Sequence, residues 1–223
     1  MTAAPLPETS DLEIAILDYR MGNLRSVEKA LEHVGVSAPI VSDADAAHAA
    51  DGLILPGVGA FPEAMRRIRE AHYDELIPEF LASGKPVLGI CLGMQVLFES
   101  SSEHEGSWGL GLLQGRVDGL DAGDLKVPQL GWNEVRWTRS SPLTEGLPNP
   151  AYFYFANSFA ARVVNRDDLL GESDYGAPFT AVVEKGPLYG AQFHPEKSST
   201  HGLRMLANFA KICVGVKTAA LSK

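Results

Sequence analysis

The stretch 86-PVLGICLGMQVLF-98 passes from an apolar run through Gly89, a single cysteine and Gly93 into residues of helical character. A short apolar run of this kind reads as a buried strand. A strand that ends in G-x-C-x-G and turns at once into a helix is the thiol counterpart of the G-x-S-x-G nucleophile elbow. Gly89 and Gly93 permit a tight turn and close helix–strand packing, which a Cβ at either position crowds. The turn puts Cys91 at a helix N-terminus, where the dipole and free N–H groups favour a thiolate and can hold an oxyanion. In an open α/β sheet this is the carboxyl edge of a strand, where sites form. The competing reading is a small core cysteine that happens to lie between glycines.

Outward from this turn, strand and helix patterns alternate. The run 12–17 (LEIAIL) reads as a strand and 24–34 as a helix. The run 53–55 is a strand that ends in PGVG, 61–84 is a helical region interrupted at Pro78, and 86–90 is the strand before Cys91, followed by a helix over 92–100. Such alternation argues for a parallel sheet with covering helices. The second half changes character. WNEVRW, YFYFANSFAARVV, FTAVVE and LYGAQF are strand-like runs between Gly, Pro and Asn turns, and a closing helix over 202–212 follows. No repeat, low-complexity tract or linker divides the chain. The expected organisation is one domain over 12–213, with a loose leader at 1–11 and a tail at 214–223.

Composition narrows the function classes. A chain of 223 residues with 45% hydrophobic and 21% charged residues has room for one sizeable core. A formal charge of -9 without a basic run argues against a nucleic-acid partner. No apolar stretch approaches the roughly 20 residues of a membrane helix, and MTAAPLPETSD lacks the basic and apolar regions of a signal peptide. Two cysteines and no CxxC give neither a disulfide framework nor a zinc site, which fits a reducing cytoplasm. Cys213, inside an apolar helical pattern, reads as a buried small hydrophobe.

A thiol nucleophile needs a base, and the base needs an orienting group. His33, His48, His72 and His104 lie in polar or helical segments and read as surface, and His201 reads as a cap or surface residue. His194 closes the apolar run 188-LYGAQF-193 and precedes Pro195 and Glu196. Proline keeps His194 extended, so residues two apart can project to one side. Glu196 can then hold His194 in one tautomer while His194 takes the Cys91 proton. A third feature is 53-LILPGVGAF-61, where glycines around Val58 can turn backbone N–H groups toward an anion. It lacks the GK[ST] of a phosphate loop.

Cys, His and Glu in this order, within GICLGMQ and QFHPEK, resemble the class I (triad) glutamine amidotransferases. More specific are 18-DYRMGNLRSVEKAL-31, LPGVGAF, 128-PQLGWNEV-135, YFYFANSF and HPEKS. Together these are similar to the glutaminase subunits of imidazole glycerol phosphate synthase, and the likeness spans roughly residues 12–212. The resemblance implies a flavodoxin-like α/β fold: a mostly parallel open sheet with helices on both faces, plus an antiparallel strand portion in the second half. It implies hydrolysis of L-glutamine to glutamate and ammonia, without cofactor or metal. The ammonia would pass to a (β/α)₈ cyclase subunit in a cytoplasmic heterodimer. There it would be used on a phosphoribulosyl-formimino ribonucleotide, giving imidazole glycerol phosphate and aminoimidazole carboxamide ribotide in histidine biosynthesis.

Residue by residue, the resemblance makes Cys91 the nucleophile, His194 the base and acid, and Glu196 the orienting carboxylate. The oxyanion donors would be the backbone of Leu92 and of Gly57, Val58 and Gly59. Gln95 and Glu103 would hold the amino-acid end of glutamine, with backbone near Ser158 and Phe159 completing the pocket. Asn23, Trp132 and Lys197 lie in motifs that would face the cyclase. Two motifs depart from the family pattern. PQLGWN stands where PHMGWN is usual and YFANSF where YFVHSY is usual, which changes Gln129, Asn157 and Phe159 but leaves the triad intact. The alternatives are a glutaminase serving a different synthetase, for which DYRMGN and GWN would be missing, and a non-catalytic binding module, for which a triad residue would be lost.

Overall fold

Apolar residues on the first strands alternate between two cores. In the computed structural model, which describes residues 12–221, β1 (Ile14–Leu17) sends Ile14 and Ile16 into one core and Ala15 and Leu17 into the other. β3 (Gly52–Gly57) divides in the same way, with Ile54 opposite Leu53 and Leu55. β4 (Val87–Cys91) sets Leu88 and Ile90 against Val87. Strands buried on both faces need helices on both faces. α1 (Leu24–His33) and the closing helix α6 (Ser199–Leu221) cover one. α2 (Ala44–Ala49), α3 (Phe61–Glu70) and α4 (Tyr73–Ala82) cover the other.

Among the described residues the strands form one 13-stranded sheet. Its main path runs β2 (Ile40–Val41), β1, β3, β4, β13 (Leu188–Ala191), β12 (Ala177–Lys185), β10 (Phe159–Val163), β7 (Leu113–Gly119), β5 (Phe98–Ser101), β6 (Ser107–Trp108). From β2 to β13 the pairings are parallel. Beyond β13 they turn antiparallel, apart from the parallel pair β5–β7. A branch of β11 (Leu169–Tyr175), β8 (Gln129–Trp137) and β9 (Ala151–Asn157) leaves the main path at β12, also antiparallel. The expected α/β fold, with a parallel part, helices on both faces and an antiparallel portion late in the chain, is the one observed. Register brings the carboxyl ends of three parallel neighbours together: Gly57 lies opposite Cys91, and Ala191 opposite Ile90.

Three local expectations are corrected. The helix expected over 92–100 is a single turn, α5 (Leu92–Gln95), followed by β5. Val96, Leu97 and Phe98 are fully buried, so this segment has no polar side to sustain an amphipathic helix. The chain returning at 109–112 takes its carbonyls instead, through Gly109 N–H to Glu99, Leu110 N–H to Val96 and Leu112 N–H to Leu97. The helical region 61–84 breaks at Ala71 and His72, where His72 adopts φ 57, and Pro78 sits inside α4. A proline within a helix forfeits one hydrogen bond, and the burial of Tyr73, Leu76, Ile77 and Phe80 holds α4 together around it.

The closing helix starts at Ser199 and runs through Leu221, so most of the expected tail at 214–223 continues it. Exposed Gly215 obscures the apolar period there, while Lys217 ties the extension to Asp51 at 2.9 Å. The expected leader at 1–11 lies outside the described residues.

Candidate active site

Cys91 stands at φ 55, ψ −113 between β4 and α5. A residue with a side chain held in so sparsely populated a region stores roughly 1–3 kcal/mol of strain, which packing must impose. Its neighbours explain why the turn closes so sharply. A Cβ on Gly93 would lie 1.7 Å from the Leu55 carbonyl oxygen, and one on Gly89 would lie 2.6 Å from the Gly93 carbonyl oxygen. Both glycines are demanded by close approach of backbone to backbone. A core cysteine would need neither the strain nor these contacts. Because α5 is one turn long, little macrodipole builds up behind the thiol.

His194 arrives from the strand on the other side of β4. Its N–H donates to the Tyr154 carbonyl at 2.9 Å, and its carbonyl accepts from Ser198 Oγ at 2.6 Å. It is extended, at φ −100 and ψ 96, as the following proline dictates. Glu196 lies in a 3₁₀ turn (Pro195–Lys197), so the chain curls rather than running on as a strand. The carboxylate still reaches back, with Oε1 2.8 Å from His194 Nδ1 and the two side chains 4% and 1% exposed. Burial works against a charge on the imidazole. Hydrogen bonds to Cys91 and Glu196, together with the charges of both, outweigh that effect and raise the His194 pKa to about 9. With Nδ1 taken by Glu196, Nε2 is the nitrogen left for the thiol.

A pocket of about 260 Å³ opens in front of Cys91. That is below the roughly 300–1,000 Å³ of sites for drug-sized ligands and suits a small one. Its walls are Val58, Gly59, Leu92, Gln95, Glu103, Ser158 and Phe159, together with Pro128, Leu130, Ala156 and Asn157. Gly57 stands behind the wall, in register with Cys91, where a Cβ would come within 2.3 Å of the Tyr19 hydroxyl. A larger groove of about 890 Å³, between Trp137 and Asn149, contains none of these groups.

The residues expected to bind glutamine carry structural duties as well. Gln95 Nε2 donates to the Phe159 carbonyl at 2.9 Å and to Gln192 Oε1 at 2.9 Å, which leaves Gln95 Oε1 for a ligand's N–H. Glu103 Oε2 accepts from the Phe61 N–H at 2.7 Å, satisfying one of the free donors at the start of α3. The Phe159 carbonyl is held by Gln95 and Asn157, and the Ser158 carbonyl by the Leu120 N–H, so neither carbonyl is idle.

Asn23, Trp132 and Lys197 lie outside the pocket, on the surface. Trp132 is 54% exposed beside Leu130, which is 67% exposed and lines the pocket mouth. His33, His48, His72 and His104 are exposed as expected. His201 is more engaged than a surface residue, with Nδ1 3.1 Å from the Tyr152 carbonyl oxygen and its ring against Phe153. Cys213 is buried, and burial pushes its thiol pKa well above the usual range.

Sequence reasoning passed over Gln192, which is fully buried and lies 3.7 Å from Cys91 Sγ through its Nε2. The available signal was a glutamine inside the otherwise apolar run 188–193, where a polar side chain must find buried partners.

The family model for glutamine amidotransferase class-I matches residues 15–213. The chain is 50% identical over 198 residues to the imidazole glycerol phosphate synthase subunit HisH of Desulfitobacterium hafniense, covering 89% of this chain and 93% of that one. It is 46% identical over 207 residues to the protein of the same name from Shouchella clausii, covering 91% and 99%. Among solved structures, PurLQS from Thermotoga maritima superposes with a TM-score of 0.71 at 20% identity, over 90% of this chain and 98% of that one, which is a likeness of fold.

Proposed function

The chain belongs to the class I glutamine amidotransferases, and from that premise we propose how its own residues do the work of the glutaminase subunit of imidazole glycerol phosphate synthase. Glutamine enters the pocket with its amino-acid end toward Gln95 and Glu103. The Cys91 thiolate attacks the side-chain amide carbon, and the charge that moves to the amide oxygen is held by N–H groups of Leu92 and the Gly57–Val58–Gly59 turn. His194 donates its proton to the nitrogen, the C–N bond breaks, ammonia leaves and a thioester remains on Cys91. Water, deprotonated by His194, then attacks the thioester, releasing glutamate and restoring the thiolate. Glu196 holds the imidazole throughout and need not accept a proton.

The ammonia goes to a (β/α)₈ cyclase subunit docked over the pocket mouth. Support for that face comes from Leu130, Trp132 and Tyr152, all at least half exposed on neighbouring strands; Asn23 and Lys197, also exposed, are assigned to the same contact. Exposed apolar side chains gathered in one patch mark such contacts. Residues 12–213 act as one catalytic domain, and two unpaired buried cysteines fit the cytoplasm.

The observation that carries this reading is the strained Cys91, hydrogen-bonded to the buried His194–Glu196 pair and lining a pocket together with Gln95 and Glu103. Glutamate release, measured with and without a purified cyclase subunit and its nucleotide, tests it directly. Two further outcomes are expected. The reactive glutamine analogue 6-diazo-5-oxonorleucine should label Cys91 and leave Cys213 unmodified in a peptide map; an adduct on Cys213 would reverse the assignment. Glu196→Ala should lose roughly 10–100-fold less activity than His194→Ala, since triad members contribute unequally. Equal losses in steady-state kcat would show that the carboxylate does more than orient.

A further inference from the structure

Gln192 is a fully buried amide in a strand-end segment whose neighbours are Ala191 and Phe193. Burying an amide is unfavourable unless it is hydrogen-bonded, so its partners define its purpose. They also settle which way it points. The Phe159 carbonyl can only accept, so the group Gln95 turns toward it must be Nε2, at 2.9 Å. That same Nε2 lies 2.9 Å from the Gln192 side chain, which must therefore present Oε1 there. The other end of the Gln192 amide, Nε2, is then directed at Cys91 Sγ, 3.7 Å away.

From this chain of contacts we infer that Gln192 is a further catalytic residue: its side-chain N–H donates to the Cys91 thiolate, and Gln95 holds it in place, joining the glutamine pocket to the nucleophile. An N–H donor favours the ionised sulfur over the neutral thiol, because a charge-assisted hydrogen bond is about twice as strong as a neutral one. The inference rests on Cys91 being the nucleophile.

The test is the pH dependence of Cys91 alkylation by iodoacetamide in the isolated chain, followed by peptide mapping. The titratable groups around the thiol are His194 and, behind it, Glu196 from the segment after β13. Among the described residues, Tyr19 from the segment after β1 and Glu103 from the β5–β6 connection also face it. Both variants below leave all four in place. Gln192→Leu removes the donor, and the midpoint of the alkylation profile is expected to rise by about 1–2 pH units. Gln192→Glu keeps the size and shape but sets an acidic oxygen against the sulfur, and should raise the midpoint further. It also carries the test if the leucine variant does not fold, as judged by thermal melting. A folded variant of either kind whose midpoint is unchanged or lower overturns the inference. Alkylation that misses Cys91 in the wild-type chain overturns the nucleophile assignment and this inference with it.

Discussion

Cys91→Ser is expected to remove glutamine hydrolysis, with a loss of about 10⁴-fold or more in kcat, while the chain still folds. A hydroxyl is a far weaker nucleophile than a thiolate beside an imidazole. The substitution asks little of the structure. Serine is smaller than cysteine, Cys91 is already 6% exposed at the pocket, and the strain at φ 55 belongs to the backbone. The His194–Glu196 hydrogen bond does not depend on the sulfur. Glutamate release and a thermal melt on the same sample separate the two effects. Retention of even a tenth of the activity with an unchanged melt would remove Cys91 from its role.

Partner-dependent activation is the second large effect. Ammonia released without an acceptor wastes glutamine, so a glutaminase subunit gains by resting until its partner is loaded. The oxyanion donors proposed outside the elbow belong to 56-PGVG-59, at the rim where Val58 is 41% exposed and Gly59 adopts φ +105. A surface turn with glycine in that region can rotate a peptide at little steric cost. One oxyanion donor is typically worth about 10²–10³ in kcat. Turnover by the chain bound to a nucleotide-loaded cyclase should therefore exceed that of the isolated chain by at least this factor, through a shift of population toward the competent turn. Gly59→Ala is the useful variant. Its Cβ would meet only the far end of the Met21 side chain, at 2.9 Å, while an alanine at φ +105 restricts the backbone freedom that rotating the turn needs. The activation factor should fall more than KM rises. Gly57→Ala is less informative, because its Cβ would collide with the Tyr19 hydroxyl and come within 2.9 Å of the Gly93 nitrogen. Equal turnover by the isolated chain and the loaded complex would refute the idea.

The tight turn at Cys91, the pairing of His194 with Glu196 and the α/β order were legible because each rests on a rule that acts within a few residues. Glycines on both sides of Cys91 signal a turn that tolerates no Cβ, and Pro195 keeps His194 extended. Alternation of strand and helix patterns in the first half commits the chain to a parallel sheet. Where tertiary contacts competed with local pattern, the pattern lost. The segment after Gln95 has helical spacing, yet its carbonyls are claimed by the returning residues 109–112, and it becomes a strand. The break between α3 and α4 falls at His72 rather than Pro78, because packing outweighs one missing hydrogen bond. The polar thread from Asn157 through Phe159, Gln95 and Gln192 to Cys91 was not legible at all. Gln192 and Cys91 are 101 residues apart, and a glutamine inside an apolar run looks the same whether it meets water or a sulfur. By itself the sequence determined that a thiol stands at a strand edge and that a histidine and a carboxylate are paired on another strand's end. Only the register of β3, β4 and β13 decided which buried amides would close around that thiol, because hydrogen-bond partners are chosen by distance in space and not along the chain.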